Sequence, residues 1–218
     1  MPVRRRREGL NLCISVRGSK DAAMAAGADL LIAVGGGSVM VATRVVAIYM
    51  AESGNAFQIM TQYPEGTAYS PRLLAPKLPI VNIPTTPTSA MHRSGAGLKN
   101  PNLDHRMEYF DPKTRPRAIF LDEEALLSAP ESLIRSTATT VFAGSLVAMS
   151  QTDVNPLAEA GRNHSFKLAY CAYARLAGEM ENAARMDLAI AALLHDRAED
   201  DGMRRYRTRA RASVSCLQ

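Results

Sequence analysis

The spacing of hydrophobic positions changes character several times along the chain. Residues 29–34, DLLIAV, are a continuous apolar run, the pattern of a strand covered on both faces. Gly35 to Gly37 follow at once. From Ser38 to about Ala51 the apolar residues recur at helical spacing, and Gly54 marks the stop. Strand, glycine turn and helix make half of a parallel α/β unit. Upstream, residues 19–26 (SKDAAMAA) read as a helix with Ser19 as its N-cap. Residues 78–83 (LPIVNI) predict a second short strand, which runs into the hydroxyl-rich loop PTTPTSA. Residues 93–110 are polar and contain glycine, so they read as a hairpin or a long loop. Residues 117–121 (RAIFL) predict a further strand, closed by Asp122.

From about Pro130 the pattern changes again. Glycine becomes sparse, alanine and leucine abound, and helical spacing holds to about Ala198. Leu168, Cys171, Ala172, Leu176 and Ala177 fall on one helical face, with Cys171 as a packed core residue. Leu188, Ala191, Ala192 and His195 repeat the spacing in a later helix. The domain boundary is therefore placed at 130, giving residues 1–130 as an α/β domain and 131–218 as a helical domain with a basic C-terminal tail. The last fifteen residues, RRYRTRARASVSCLQ, have no apolar period and are expected to pack little, as is the basic N-terminal run.

Composition narrows the function classes. A hydrophobic content of 47% in 218 residues suffices for a core. No apolar run reaches the length of a membrane span, and no apolar stretch of signal-peptide type follows MPVRRRREGLNLC. The three cysteines are scattered, without CxxC spacing, which fits a reduced, cytoplasmic setting. The net charge of +5 would suit nucleic acid, but the arginines gather at the ends, in Arg4 to Arg7 and from Arg204 onward. Solvated ends explain that distribution without a nucleic-acid partner.

Two stretches can carry chemistry. The turn at Gly36, Gly37 and Ser38 lets backbone approach a phosphate, and the helix behind it presents free N–H groups and a positive dipole end. A tight strand-to-helix turn without ligand explains the same glycines equally well. The PTTPTSA loop offers Thr85, Thr86, Thr88 and Ser89 at the carboxyl end of a strand, where open α/β sheets bind ligands. An ordinary loop ending in a helix cap is the plainer reading. The histidines, His92, His105, His164 and His195, show no i, i+4 pair. His164 reads as a first-turn polar residue, and His195 with Asp196, Glu199, Asp200 and Asp201 as a solvated helix end.

The segments ADLLIAVGGGSVMVATRVVA, LPIVNIPTTPTSA and RPRAIFLDEEALLSAP, followed by helices, resemble the iron-containing alcohol dehydrogenases over residues 20–200. The resemblance implies a dehydroquinate synthase-like fold, truncated at both ends. A Rossmann-like domain with a parallel sheet would bind NAD or NADP, and an all-helical domain would hold a divalent metal. Gly36, Gly37 and Ser38 match the family's pyrophosphate turn. Thr85, Thr86 and Ser89 match its second cofactor-binding loop, and Arg106 falls near its usual cleft lysine.

The chain departs from the family where charge and metal would sit. Val41 and Arg44 replace the aspartate and lysine that usually follow GGGS. In TATTVFAGSLVAMS, Phe142 and Leu146 stand where the family has an aspartate and a histidine ligand, and neither can bind Fe²⁺ or Zn²⁺. The resemblance therefore implies an NAD(P)-dependent oxidoreductase passing hydride between nicotinamide and an alcohol or aldehyde, without the usual metal. The expected partner is a small-molecule substrate, with a homodimer left open. A metal-free maleylacetate reductase-like enzyme is one alternative, in which Arg93, Arg106 or Arg115 would stabilise an oxyanion. A non-catalytic remnant or interaction protein that retains the nucleotide-binding fold is the other.

Overall fold

A computed structural model describes residues 15–100, 103, 105–176 and 182–202. The arginine-rich ends, including the last fifteen residues, and Ala177 lie outside that range. The chain divides into two compact units, residues 1–130 and 131–218.

The first unit is α/β. Helix α1 covers residues 15–25. It already includes Ser15, so Ser19 lies inside the helix and is not its N-cap. Strand β1 (Leu31–Gly35), helix α2 (Gly37–Ala51) and helix α3 (Ala56–Ile59) follow. Asn55 starts α3 with a capping box, accepting from Phe57 N while Gln58 reaches back to its own backbone N–H. Strand β2 (Ile80–Pro84) pairs parallel with β1 and with β5 (Ala118–Ile119), in the order β1-β2-β5. Strands β3 (Gly95–Lys99) and β4 (Arg106–Phe110) make an antiparallel hairpin, which decides between the two readings of residues 93–110. The short helix α4 (Glu123–Leu127) is capped by Asp122, whose carboxylate accepts from Ala125 N.

Alternation in the hairpin explains where the core lies. Ala96 pairs with Tyr109 and Leu98 with Met107, and all four are buried. They pack with Val45, Val46 and Ile48 of α2 and with Val16 of α1. The parallel sheet differs from expectation. Ile32 and Val34 are 59% and 56% exposed, so β1 is covered on one face only. An uninterrupted apolar run cannot distinguish one covered face from two. The α2 and hairpin layer packs on the face of Leu31 and Ala33, and Ile32 and Val34 of the other face stay exposed.

The second unit holds α5 (Glu131–Met149), α6 (Pro156–Arg175) and α7 (Asn182–Asp200). Asn155 caps α6 by accepting from Leu157 N and Ala158 N, and Pro156 opens it. Small residues line the contacts: Ser165, Ala169 and Ala172 on α6, and Ala184, Ala191 and Ala192 on α7, are buried. Cys171 is exposed and is not a core residue. The buried stripe runs Ser165, Ala169, Ala172, Leu176, so Ala172 and Leu176 are buried as expected and Cys171 is the position that departs. Ser165 Oγ donates to Ala191 O (2.8 Å) and meets Ser145 Oγ at 3.1 Å, so a buried hydroxyl chain joins all three helices.

Candidate functional site

The site begins at the carboxyl end of β1. Gly35 has φ +151°, a backbone region that other residues rarely adopt, and a Cβ there would lie 2.6 Å from Val39 Cγ2. Gly36 is the N-cap of α2 and provides no side-chain cap. The start of this 15-residue helix therefore presents backbone N–H groups, with no acidic side chain in its first turn. Ser38 is exposed beside it.

The second loop packs directly on this turn. Thr85 N donates to Gly35 O at 3.0 Å. A Cβ on Gly37 would lie 2.6 Å from Thr88 Oγ1, and one on Gly36 3.3 Å from Thr86 Oγ1. The close approach of the threonine loop thus leaves no room for a side chain at Gly37 and little at Gly36. Thr86 is buried, whereas Thr85 and Ser89 are partly exposed. Thr88 caps a 3₁₀ turn over Ser89–Met91 by accepting from Ala90 N. The six candidate residues Gly36, Gly37, Ser38, Thr85, Thr86 and Ser89 accordingly lie on two segments joined at one end of the parallel sheet.

Two buried polar side chains support the loop, and the sequence reading assigned neither that task. Arg44 is 1% exposed, and its Nη1 donates to Ala90 O (2.6 Å) and Arg93 O (2.7 Å). Asn82 is also 1% exposed and donates from Nδ2 to Met91 O at 2.7 Å. A helical spacing signal was available for Arg44, because Met40 and Ile48 lie four residues to either side and both are buried. Val41 packs partly buried against the hydrophobic core. Arg106 starts β4 and is exposed.

A buried ion-pair network lies elsewhere on the same unit. Lys77 Nζ contacts Glu52 Oε1 at 2.6 Å and Asp111 Oδ2 at 3.0 Å. Lys113 reaches Asp111 Oδ1 at 3.0 Å and donates to Leu73 O. Burial pushes the Asp111 carboxyl up, but the Lys113 backbone N–H and the Lys77 and Lys113 ammonium groups outweigh it and hold it below its ordinary value. A hollow of about 500 Å³ beside this network is lined by Ser70, Leu73, Leu74, Phe110 and Asp111. It includes none of the turn or loop residues, so its shape gives the glycine site no support.

In the helical unit, Phe142 is part of an aromatic stack. Its ring centroid lies 5.0 Å from Tyr173 and 6.4 Å from Phe166. Leu146, one turn further along α5, is 49% exposed. Neither side chain has a donor atom for a metal, and no group of three or more His, Cys, Asp or Glu residues is arranged to hold one among the described residues. The residues at this place do not fit the iron or zinc that the resemblance implies. His164 lies in the middle of α6 and not in its first turn. The acidic stretch around His195 is a solvated helix end only in part: Asp200 is exposed, but Asp196 is 2% exposed and His195 is 3.6 Å from Glu199, because α7 packs against α5 and α6.

Residues 15–123 match the family described as iron-containing alcohol dehydrogenase. The chain belongs to the iron-containing alcohol dehydrogenase family. Solved structures share its fold. The sulfoacetaldehyde reductase from Bifidobacterium kashiwanohense, in complex with NAD+, is 20% identical with a TM-score of 0.72, over 84% of this chain and 47% of that one. The alcohol dehydrogenase from Oenococcus oeni is 20% identical with a TM-score of 0.71, over 85% and 47% of the two chains. The NADH-dependent butanol dehydrogenase A from Thermotoga maritima is 17% identical with a TM-score of 0.69, over 87% and 46%. This family member spans about half the length of those solved relatives. No match to it is found among curated protein sequences.

Proposed function

We propose that this chain is the dinucleotide-binding part of an NAD(P)-dependent oxidoreductase that passes hydride between nicotinamide and an alcohol or aldehyde. The observation that carries the reading is the uncapped start of α2 at Gly36 to Ser38, closed over by the threonine loop. An anionic pyrophosphate suits that helix end, because its free N–H groups and positive dipole end lack a competing carboxylate. Thr85 and Ser89 offer hydroxyls at the rim, while Thr86 supports the turn from below. The NAD+ complex of the Bifidobacterium relative and the NADH dependence of the Thermotoga enzyme support a nicotinamide cofactor at the family level.

The cofactor supplies the hydride; the protein orients it and excludes water. Phe142 and Leu146 offer no ligand for the metal that the resemblance implies. We therefore assign this member a metal-independent reaction, with a cation such as Arg93 or Arg115 aiding the oxyanion. Reduction of small aldehydes followed at the NADH absorbance, beside elemental analysis, tests both parts. Turnover that survives EDTA is expected. Turnover lost on chelation and restored by Fe²⁺ or Zn²⁺ would contradict the metal-free assignment.

A second reading has a specific observation behind it. Arg44, the cation placed where the family has a lysine, is committed to backbone carbonyls. A chain that binds dinucleotide without turnover would fit that commitment, and the same assay separates the two.

A further inference from the structure

We propose that Arg44 and Asn82 are positioning residues that set the threonine loop over the glycine turn and thereby determine dinucleotide affinity without touching the cofactor. The inference rests on the dinucleotide reading of that site.

Three backbone carbonyls in a four-residue stretch, those of Ala90, Met91 and Arg93, are held by these two side chains. Both side chains come from below the loop: Arg44 from α2 and Asn82 from the middle of β2, and both are 1% exposed. A charged guanidinium donating to two carbonyls fixes direction as well as distance. Asn82 occupies a position flanked along β2 by the buried Ile80 and Pro84, an otherwise apolar row. Its Oδ1 is buried and has no partner among the described residues. A buried polar group kept at that cost is consistent with a demand on the loop beyond packing. The loop's other end is tied by Thr85 N to Gly35 O, so the clamp and that bond together determine where Thr85, Thr88 and Ser89 stand relative to Gly37 and Ser38.

The test uses the full chain in four forms: unaltered, Arg44→Met, Arg44→Lys and Asn82→Ala. Each is titrated calorimetrically with NADH and NADPH, and amide hydrogen exchange is followed across residues 85–94 without ligand. Urea unfolding identifies any form that is not folded. Arg44→Met is expected to raise the dissociation constant roughly tenfold or more, because two partly buried carbonyls lose their charged donor. Exchange across 85–94 should quicken with it. Arg44→Lys can still donate to both carbonyls and should stay within about threefold of the unaltered chain. Asn82→Ala should act in the same direction as Arg44→Met. A merely structural role would lower the urea midpoint and leave the affinity of the folded protein unchanged, which would overturn the proposal. Exchange that stays slow in Arg44→Met would overturn the clamp itself. Failure of the unaltered chain to bind either dinucleotide would instead remove the reading of the site, and the exchange data would still decide the clamp.

Discussion

At the residue scale, small distances determine what can be replaced. Gly37→Ala places a methyl group 2.6 Å from Thr88 Oγ1, so the loop must move or the turn must open. The expected result is a loss of about 1–3 kcal/mol in stability, read by urea unfolding, together with weaker dinucleotide binding. Asp111 gives a prediction with a sign. Its folded-state pKa is lowered, so its contribution is fully present above the unfolded value of 3.8 and is lost as pH falls through the lower folded value. Unfolding midpoints measured from pH 6 down to pH 2 should fall with acid in the unaltered chain. Asp111→Asn leaves Lys77 buried without this carboxylate. It should cost on the order of 3 kcal/mol at neutral pH and flatten the acid dependence. Arg44 shows what the sequence concealed at this scale. Its position was legible as the family's lysine, but a charge reads as a surface or ligand group, and only its spacing from Met40 and Ile48 marked it for burial.

Among the elements, those with large apolar side chains were the most legible. The β1 run, the glycine turn and α2 follow from residues 31–51 read in order, and LPIVNI contains β2. The helical unit was legible as helices, and so was the face of α7 through Leu188, Ala191 and Ala192, but the face of α6 only in part. Ser165, Ala169 and Ala172 form the buried stripe of α6, and residues this small carry little hydropathy contrast with their neighbours. Ala172 and Leu176 were read correctly as buried, but the exposed Cys171 was therefore included and Ala169 was missed. The buried hydroxyls make a testable joint between helices. Ser165→Ala removes the bonds to Ala191 O and Ser145 Oγ and should lower stability by about 1 kcal/mol, with the Ser145 to Val141 bond retained. Ser165→Leu forces a larger side chain between α6 and α7 and should cost more, about 1–3 kcal/mol from overpacking alone. Equal stability of the three forms in urea would show that the contact is looser than described.

For the whole molecule, membership of the iron-containing alcohol dehydrogenase family was readable from the glycine turn and the threonine loop together, because both are local and ordered in sequence. The absence of ligand chemistry at Phe142 and Leu146 was readable too, since side-chain type alone decides it. The support beneath the site was not readable, because Arg44, Asn82 and residues 90–93 meet only in three dimensions. The central claim is that the α2 N-terminus and its covering loop hold the phosphates of a dinucleotide. Ser38→Asp tests it most directly, because Ser38 is exposed in the first turn of α2. A carboxylate there favours the helix dipole and should leave stability unchanged or raised by about 0.3–1 kcal/mol. Beside a bound pyrophosphate the same charge repels, and the dissociation constant for NADH or NADPH should rise roughly tenfold or more. Calorimetric titration of both forms at one ionic strength is the measurement. Weakened binding in a fully folded Ser38→Asp protein is the predicted result; equal affinity in the two forms, or no binding to the unaltered chain, would contradict it.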